Sequence, residues 1–295
     1  MSSKLFVIGN GFDLHHGIPS RFSDFGRRVG EVAPEILGLI DDYLFVDEDF
    51  WNCFEARLAT FDSDNVINHA EHFLVPYSAE EWSDASHHDF EYEIEQVVDG
   101  LSRRLRGLFA EWIRSLPIPQ PGSVPLVRCI DPSARFLSFN YTPTLQRLYN
   151  VPEPNVLHIH GRSSDVDGDL VLGHGWERTA AEMLHGQINE GTDTRVAGGY
   201  RLIDEYFANT FKPTGQLIER YRAKLDSLRN VSEVIVLGHS LADVDAPYYR
   251  EIIAQVGTRA TWTVSCYLEP SSEMAGLERL GVPSHLARFA PLSML

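Results

Sequence analysis

The chain has 295 residues, 43% hydrophobic and 23% charged, which is the balance of an ordinary globular protein and not of a disordered or fibrous one. Lysine and arginine number 25 against 42 aspartates and glutamates, and the resulting net charge of −17 repels a phosphate backbone and disfavours nucleic acid as a partner. Cys53, Cys129 and Cys266 form no CxxC pair, which excludes a disulfide framework and a zinc ribbon and points to a reducing, cytoplasmic compartment.

Leu5-Phe6-Val7-Ile8 is a short, continuous apolar run, the pattern of a strand buried on both faces of a parallel sheet. It ends at Gly9-Asn10-Gly11, and the breakers from Asp13 to Ser20 predict a short helical turn and a loop before a helix starting within Ser20–Phe25. The opening MSSKLFVIGNGFD holds too short an apolar stretch for a signal peptide. No run approaches the ~18–20 apolar residues that cross a bilayer, so neither export nor membrane insertion is expected.

Residues 31–116 read as mostly helical, with apolar positions three and four apart in Phe50–Leu58 and Phe90–Trp112. Arg103, Arg104, Arg106 and Arg114 on this segment read as a solvated or ion-paired face. Four prolines between Pro117 and Pro125 make a stiff linker that ends the helical part. The simplest arrangement is one α/β domain over residues 1–295, with 31–116 as a helical insertion after the first strand.

Strand signals return at 134–139, 155–160 and 170–172, and again at 233–237 and 261–267. Helical patterns fill 177–226 and 247–256. Apolar strands alternating with helices predict a parallel, Rossmann-like sheet covered on both faces, with ligands bound beyond the carboxyl ends of its strands. The polar residues Asn10, Asp13, Asn140, His158, His160 and those from His239 to Asp245 all fall at such ends.

Gly9 and Gly11 leave room for backbone N–H groups to approach a pyrophosphate, although Leu14 stands where a dinucleotide fingerprint has its third glycine. Asp13 suits either a ribose hydroxyl or a helix cap. Asn140, at a strand end, suits positioning of a sugar or a water, or a plain turn. His158 and His160 alternate along a strand and so share a face, and Gly161 leaves space beside them. As metal ligands they need a third, from His174 or His239; otherwise one serves as general base. Gly238-His239-Ser240 lacks the second glycine of a hydrolase elbow, which argues against Ser240 as a nucleophile.

Taken together, IGNGFDLHHGIPSRFSDF (8–25), FEARL (54–58), SFNYTPTL (138–145), HIHG (158–161) and LGHSLADVDAPYY (237–249) resemble the bacteriophage abortive-infection family AbiH, itself similar to a distant branch of the sirtuin-like fold. The resemblance implies Asn140 and His160 as a catalytic pair. It also implies that Gly9, Asn10, Gly11, Phe12, Asp13, Gly161, Gly238, His239, Ser240, Asp243 and Asp245 line an NAD pocket. The four-cysteine zinc module of true sirtuins is missing, which points away from deacetylation and toward cleavage of NAD as substrate, with no metal. The implied role is NAD hydrolysis in anti-phage defence, with a phage-derived trigger or partner protein and room for a homo-oligomer. The alternatives are a sensor that binds NAD or ADP-ribose without cleaving it and, disfavoured by charge, an RNA-targeting effector.

Overall fold

Strand β1 (Lys4–Ile8) forms where the apolar run predicts it and is buried on both sides, Leu5 and Val7 entering one core and Phe6 and Ile8 the other. It is central to a six-stranded, wholly parallel sheet with β2 (Arg135–Ser138), β3 (Val156–His158), β4 (Glu233–Leu237), β5 (Thr261–Cys266) and β6 (Ala287–Pro291), in the order β3-β2-β1-β4-β5-β6. This computed structural model describes residues 3–80, 82–84, 86–165, 170–267 and 269–295. The architecture is Rossmann-like, and the strand order reverses direction between β1 and β4.

Both faces of the sheet are covered, as parallel strands require. On one, Leu217, Leu225, Tyr249, Ile252 and Leu277 bring the helices Thr214–Arg220, Arg222–Asp226, Ala246–Val256 and Ser271–Arg279 against the core. On the other, Phe12, Leu145, Leu148 and Tyr149 bring the helices Asn10–His15 and Thr144–Tyr149 against Phe6, Phe136 and Ile235.

The chain divides into two compact units, one made of residues 1–21, 110–171 and 213–295 and the other of 22–109 and 172–212. The helical part expected at 31–116 overlaps the second unit's 22–109, while 110–116 fall in the first unit and 172–212 join the second. Its core holds Phe25, Phe50, Phe54 and Phe109 at zero or near-zero exposure. Its longest helix, Thr194–Thr210, packs along Asp89–Asp99.

Three elements differ from expectation. Leu170–Leu172 is not a strand; it has the apolar character of one, but its main chain bonds instead to His160 and Tyr141, through Val171 N–H to the His160 carbonyl at 2.9 Å and the Tyr141 hydroxyl to the Val171 carbonyl at 2.7 Å. The segment 177–193, expected to be helical, carries only the short turn Leu184–Gln187 ahead of Thr194. Strand β6 was not expected, because as an edge strand it is mostly half-buried and lacks the solid apolar run of β1.

No described helix is long and apolar enough to cross a membrane. Of the arginines read as a solvated or ion-paired face, Arg103 and Arg104 meet carboxylates and Arg106 and Arg114 meet main-chain carbonyls. Arg103 pairs with Asp99, Arg104 with Glu35, Arg106 donates to the Asn209 carbonyl and Arg114 to that of Asp165.

Candidate functional site

The polar residues singled out in the sequence lie at the carboxyl ends of β1 to β4, in the sheet-bearing unit. At β1 the Gly9 N–H continues the ladder to the Leu237 carbonyl at 2.9 Å, and the Gly11 N–H donates to the Gly238 carbonyl at 2.7 Å. The Phe12 N–H closes back on the Gly9 carbonyl at 2.9 Å. Three amides of the expected phosphate loop are therefore spent on main-chain acceptors. The glycines serve a close approach: a Cβ on Gly9 would lie 2.6 Å from the Gly238 oxygen, and one on Gly11 2.8 Å from the Gly238 Cα. Asn10 is exposed and turned to Ser20, donating from Nδ2 to its carbonyl at 2.8 Å and accepting from its hydroxyl at 2.5 Å.

Asp13 is neither a helix cap nor an open ribose contact. It sits inside the helix Asn10–His15, is 1% exposed, and accepts hydrogen bonds from the Thr142 hydroxyl at 2.6 Å and the Thr144 hydroxyl at 2.7 Å. Burial pushes its carboxyl up to about 6, against the opposing pull of the two hydroxyls and the Asn140 side chain. A carboxyl that is easier to protonate folded than unfolded makes stability fall as pH rises from about 4 through about 6, by up to about 3 kcal/mol. Asp13→Asn removes that slope. Urea unfolding at pH 4 and pH 7 is expected to show the variant gaining about 2–3 kcal/mol on the parent between the two.

Asn140, 7% exposed, donates from Nδ2 to the Gly9 carbonyl at 3.0 Å, while its own N–H donates to the Ser138 hydroxyl at 3.1 Å. It thereby ties the end of β2 to the exit of β1. Thr142, Thr144 and Ser138 were not singled out from sequence. Their only signal was membership of the string SFNYTPTL.

His158 and His160 do not share a face, because β3 ends at His158 and His160 lies in the turn beyond it. His158 donates from Nδ1 to the Asn140 carbonyl at 2.8 Å and accepts at Nε2 from the Gln146 amide at 3.0 Å. Both nitrogens are committed, and burial lowers its basicity. His158 thereby links the end of β3 to the end of β2 and to Gln146. His160, 3% exposed, instead places Nε2 3.9 Å from Asp245 Oδ1, with its ring against Phe139, Tyr141 and Tyr248. Gly161 follows at φ +91°, a left-handed turn that glycine alone adopts readily.

The β4 exit completes the cluster. His239 Nδ1 accepts from the Leu241 N–H at 2.9 Å, so Nε2 carries the proton and faces Asp245 Oδ2 at 3.3 Å. Asp245, 7% exposed, is thus flanked by two imidazoles. Burial and the charge of Asp245 hold the neighbouring Tyr249 hydroxyl well above its ordinary value. Ser240 and Asp243 do not join this group. Ser240 is exposed, and Asp243 pairs at the surface with Arg279 at 3.3 Å.

Among the described residues no group of three or more His, Cys, Asp or Glu is arranged to hold a metal ion. A cleft of about 220 Å³ opens at the opposite end of the strands, against Leu5, Arg135, Asn155, Lys224 and Leu228.

A family model described as bacteriophage abortive infection AbiH matches residues 5–266. The chain belongs to the AbiH family. The match runs from β1 to the end of β5 and takes in every AbiH residue placed above at the strand exits. No curated protein and no solved structure matches the chain. The family's description places this AbiH chain in phage abortive infection.

Proposed function

We propose that this AbiH chain acts in abortive infection by cleaving NAD at the bond between nicotinamide and ribose. The reading follows the similarity to sirtuin-like proteins that the AbiH resemblance implies and rests on one observation: a buried imidazole, His160, lies 3.9 Å from the carboxylate of Asp245 at the carboxyl ends of a parallel sheet. In the reaction, water attacks C1′ of the nicotinamide ribose as the C–N bond breaks. Nicotinamide leaves neutral with the bonding electron pair, and the proton lost by the water, or by a ribose hydroxyl, passes to His160. Asn140, fixed by its bond to the Gly9 carbonyl, orients the ribose and water. No covalent nucleophile is required.

Purified protein incubated with NAD, with phage lysate added as trigger, is expected to release nicotinamide and ADP-ribose. His160→Ala should lower turnover by about 10²–10⁴. Absence of turnover under both conditions, with phage defence undiminished in a His160→Ala strain, overturns the reading.

The second reading is a sensor that binds NAD or ADP-ribose without cleaving it, through groups other than the Gly9, Gly11 and Phe12 amides, which are committed to the main chain. It predicts ligand-raised melting with no product, and defence retained in Asn140→Ala.

A further inference from the structure

We propose that Asp245 and His239 are positioning residues for His160, forming a relay from the Leu241 main chain through His239 and Asp245 to the catalytic imidazole. This rests on the reading of His160 as the general base, and it reassigns two residues for which the family resemblance implies contact with NAD.

The relay has a defined direction. Leu241 is 1% exposed and held at φ +56° beside Gly276, with its carbonyl accepting from Arg279 at 3.3 Å. Its N–H points at His239 Nδ1, and a nitrogen that accepts a hydrogen bond carries no proton. His239 is therefore a neutral imidazole with its proton on Nε2, facing Asp245 Oδ2 at 3.3 Å. The other carboxylate oxygen, Oδ1, faces His160 Nε2 at 3.9 Å.

At 3.9 Å, beyond hydrogen-bond reach, the carboxylate acts through its charge and favours the imidazolium that His160 becomes on taking a proton, as an aspartate does at closer range in hydrolytic triads. His239 in turn fixes the carboxylate's orientation without adding a charge. The Phe139 ring at 5.4 Å, the Tyr248 ring at 5.5 Å and the Tyr141 ring at 6.3 Å also lie against His160. Tyr249 packs against His239 from the same helix as Tyr248. Asp245 presents a carboxylate to His160.

The test is a pH titration of the full-length protein labelled with ¹⁵N-histidine, the His160 signal being assigned by its loss in His160→Gln. In the unmodified protein, His239 is expected to show the neutral tautomer protonated at Nε2. Asp245→Asn should lower the proton affinity of His160 about tenfold or more, and His239→Gln, which keeps an N–H donor toward Asp245, should leave it near the parent value. In the NAD assay, Asp245→Asn should lower kcat with KM unchanged.

A His160 titration unaffected by Asp245→Asn overturns the proposal. So does a rise in KM with kcat intact, which makes Asp245 a substrate contact. If Asp245→Asn does not fold, the tautomer of His239 in the unmodified protein decides: a proton on Nδ1 breaks the relay. Titrations as expected from a protein that does not cleave NAD overturn the NAD reading and leave the relay standing.

Discussion

Gly238→Ala is expected to destabilise the protein by about 4 kcal/mol or more, or to prevent its folding. Gly238 stands at φ +66°, and a Cβ there would lie 2.1 Å from the Phe12 nitrogen, 2.4 Å from the Gly11 carbonyl carbon and 2.8 Å from the Gly11 Cα. All three are main-chain atoms of the β1 exit, which hydrogen bonds to Leu237 and Gly238 already fix in place, so no side chain can swing aside. Gly281→Ala is the control, because Gly281 has φ +82° and nothing within 4 Å of an added Cβ. It pays only for the left-handed backbone, about 1–2 kcal/mol. Urea unfolding of the two proteins separates clash from backbone strain, and equal losses would show that the two loops yield easily.

That interlock also explains how far the site was legible. The apolar run of β1 and the glycines at its exit were readable because both signals are local. The reason for the glycines was not. Gly9 and Gly11 make room for Gly238, more than two hundred residues away, and a strand-exit glycine looks the same whether it approaches a phosphate or another loop. Asp13 was equally opaque, since its partners Thr142 and Thr144 arrive from the end of β2. The alternation of His158 and His160 misled because the two-residue period holds only inside a strand, and β3 stops at the first of them. The cluster of His160, His239 and Asp245 joins two separated strings, HIHG and LGHSLADVDAPYY, that were each recognised. Their meeting on one carboxylate needed the register of β3, β2, β1 and β4.

The string FEARL has a different task, and Glu55→Gln should reveal it by costing the helical unit about 3–5 kcal/mol. Phe54 fills the aromatic core and the Leu58 carbonyl accepts from the Tyr206 hydroxyl at 2.8 Å. Glu55 meets Lys212 at 2.7 Å, and Lys212 is 0% exposed while the Glu55 side chain keeps 17%. The Lys212 N–H also donates to the carbonyl of buried His174, whose imidazole burial drops to about 4. An ammonium in such a place is tolerable beside a carboxylate and costly beside a neutral amide, whereas an exposed pair is worth less than about 1 kcal/mol. The double variant Glu55→Leu, Lys212→Met removes both charges and should recover most of the loss, so the two changes must be strongly non-additive in urea unfolding. Additive losses would mean that the charges do not depend on one another. In phage challenge, Glu55→Gln should abolish defence together with soluble protein. His160→Ala should abolish it at an unchanged protein level, which separates a residue that builds the helical unit from the proposed general base.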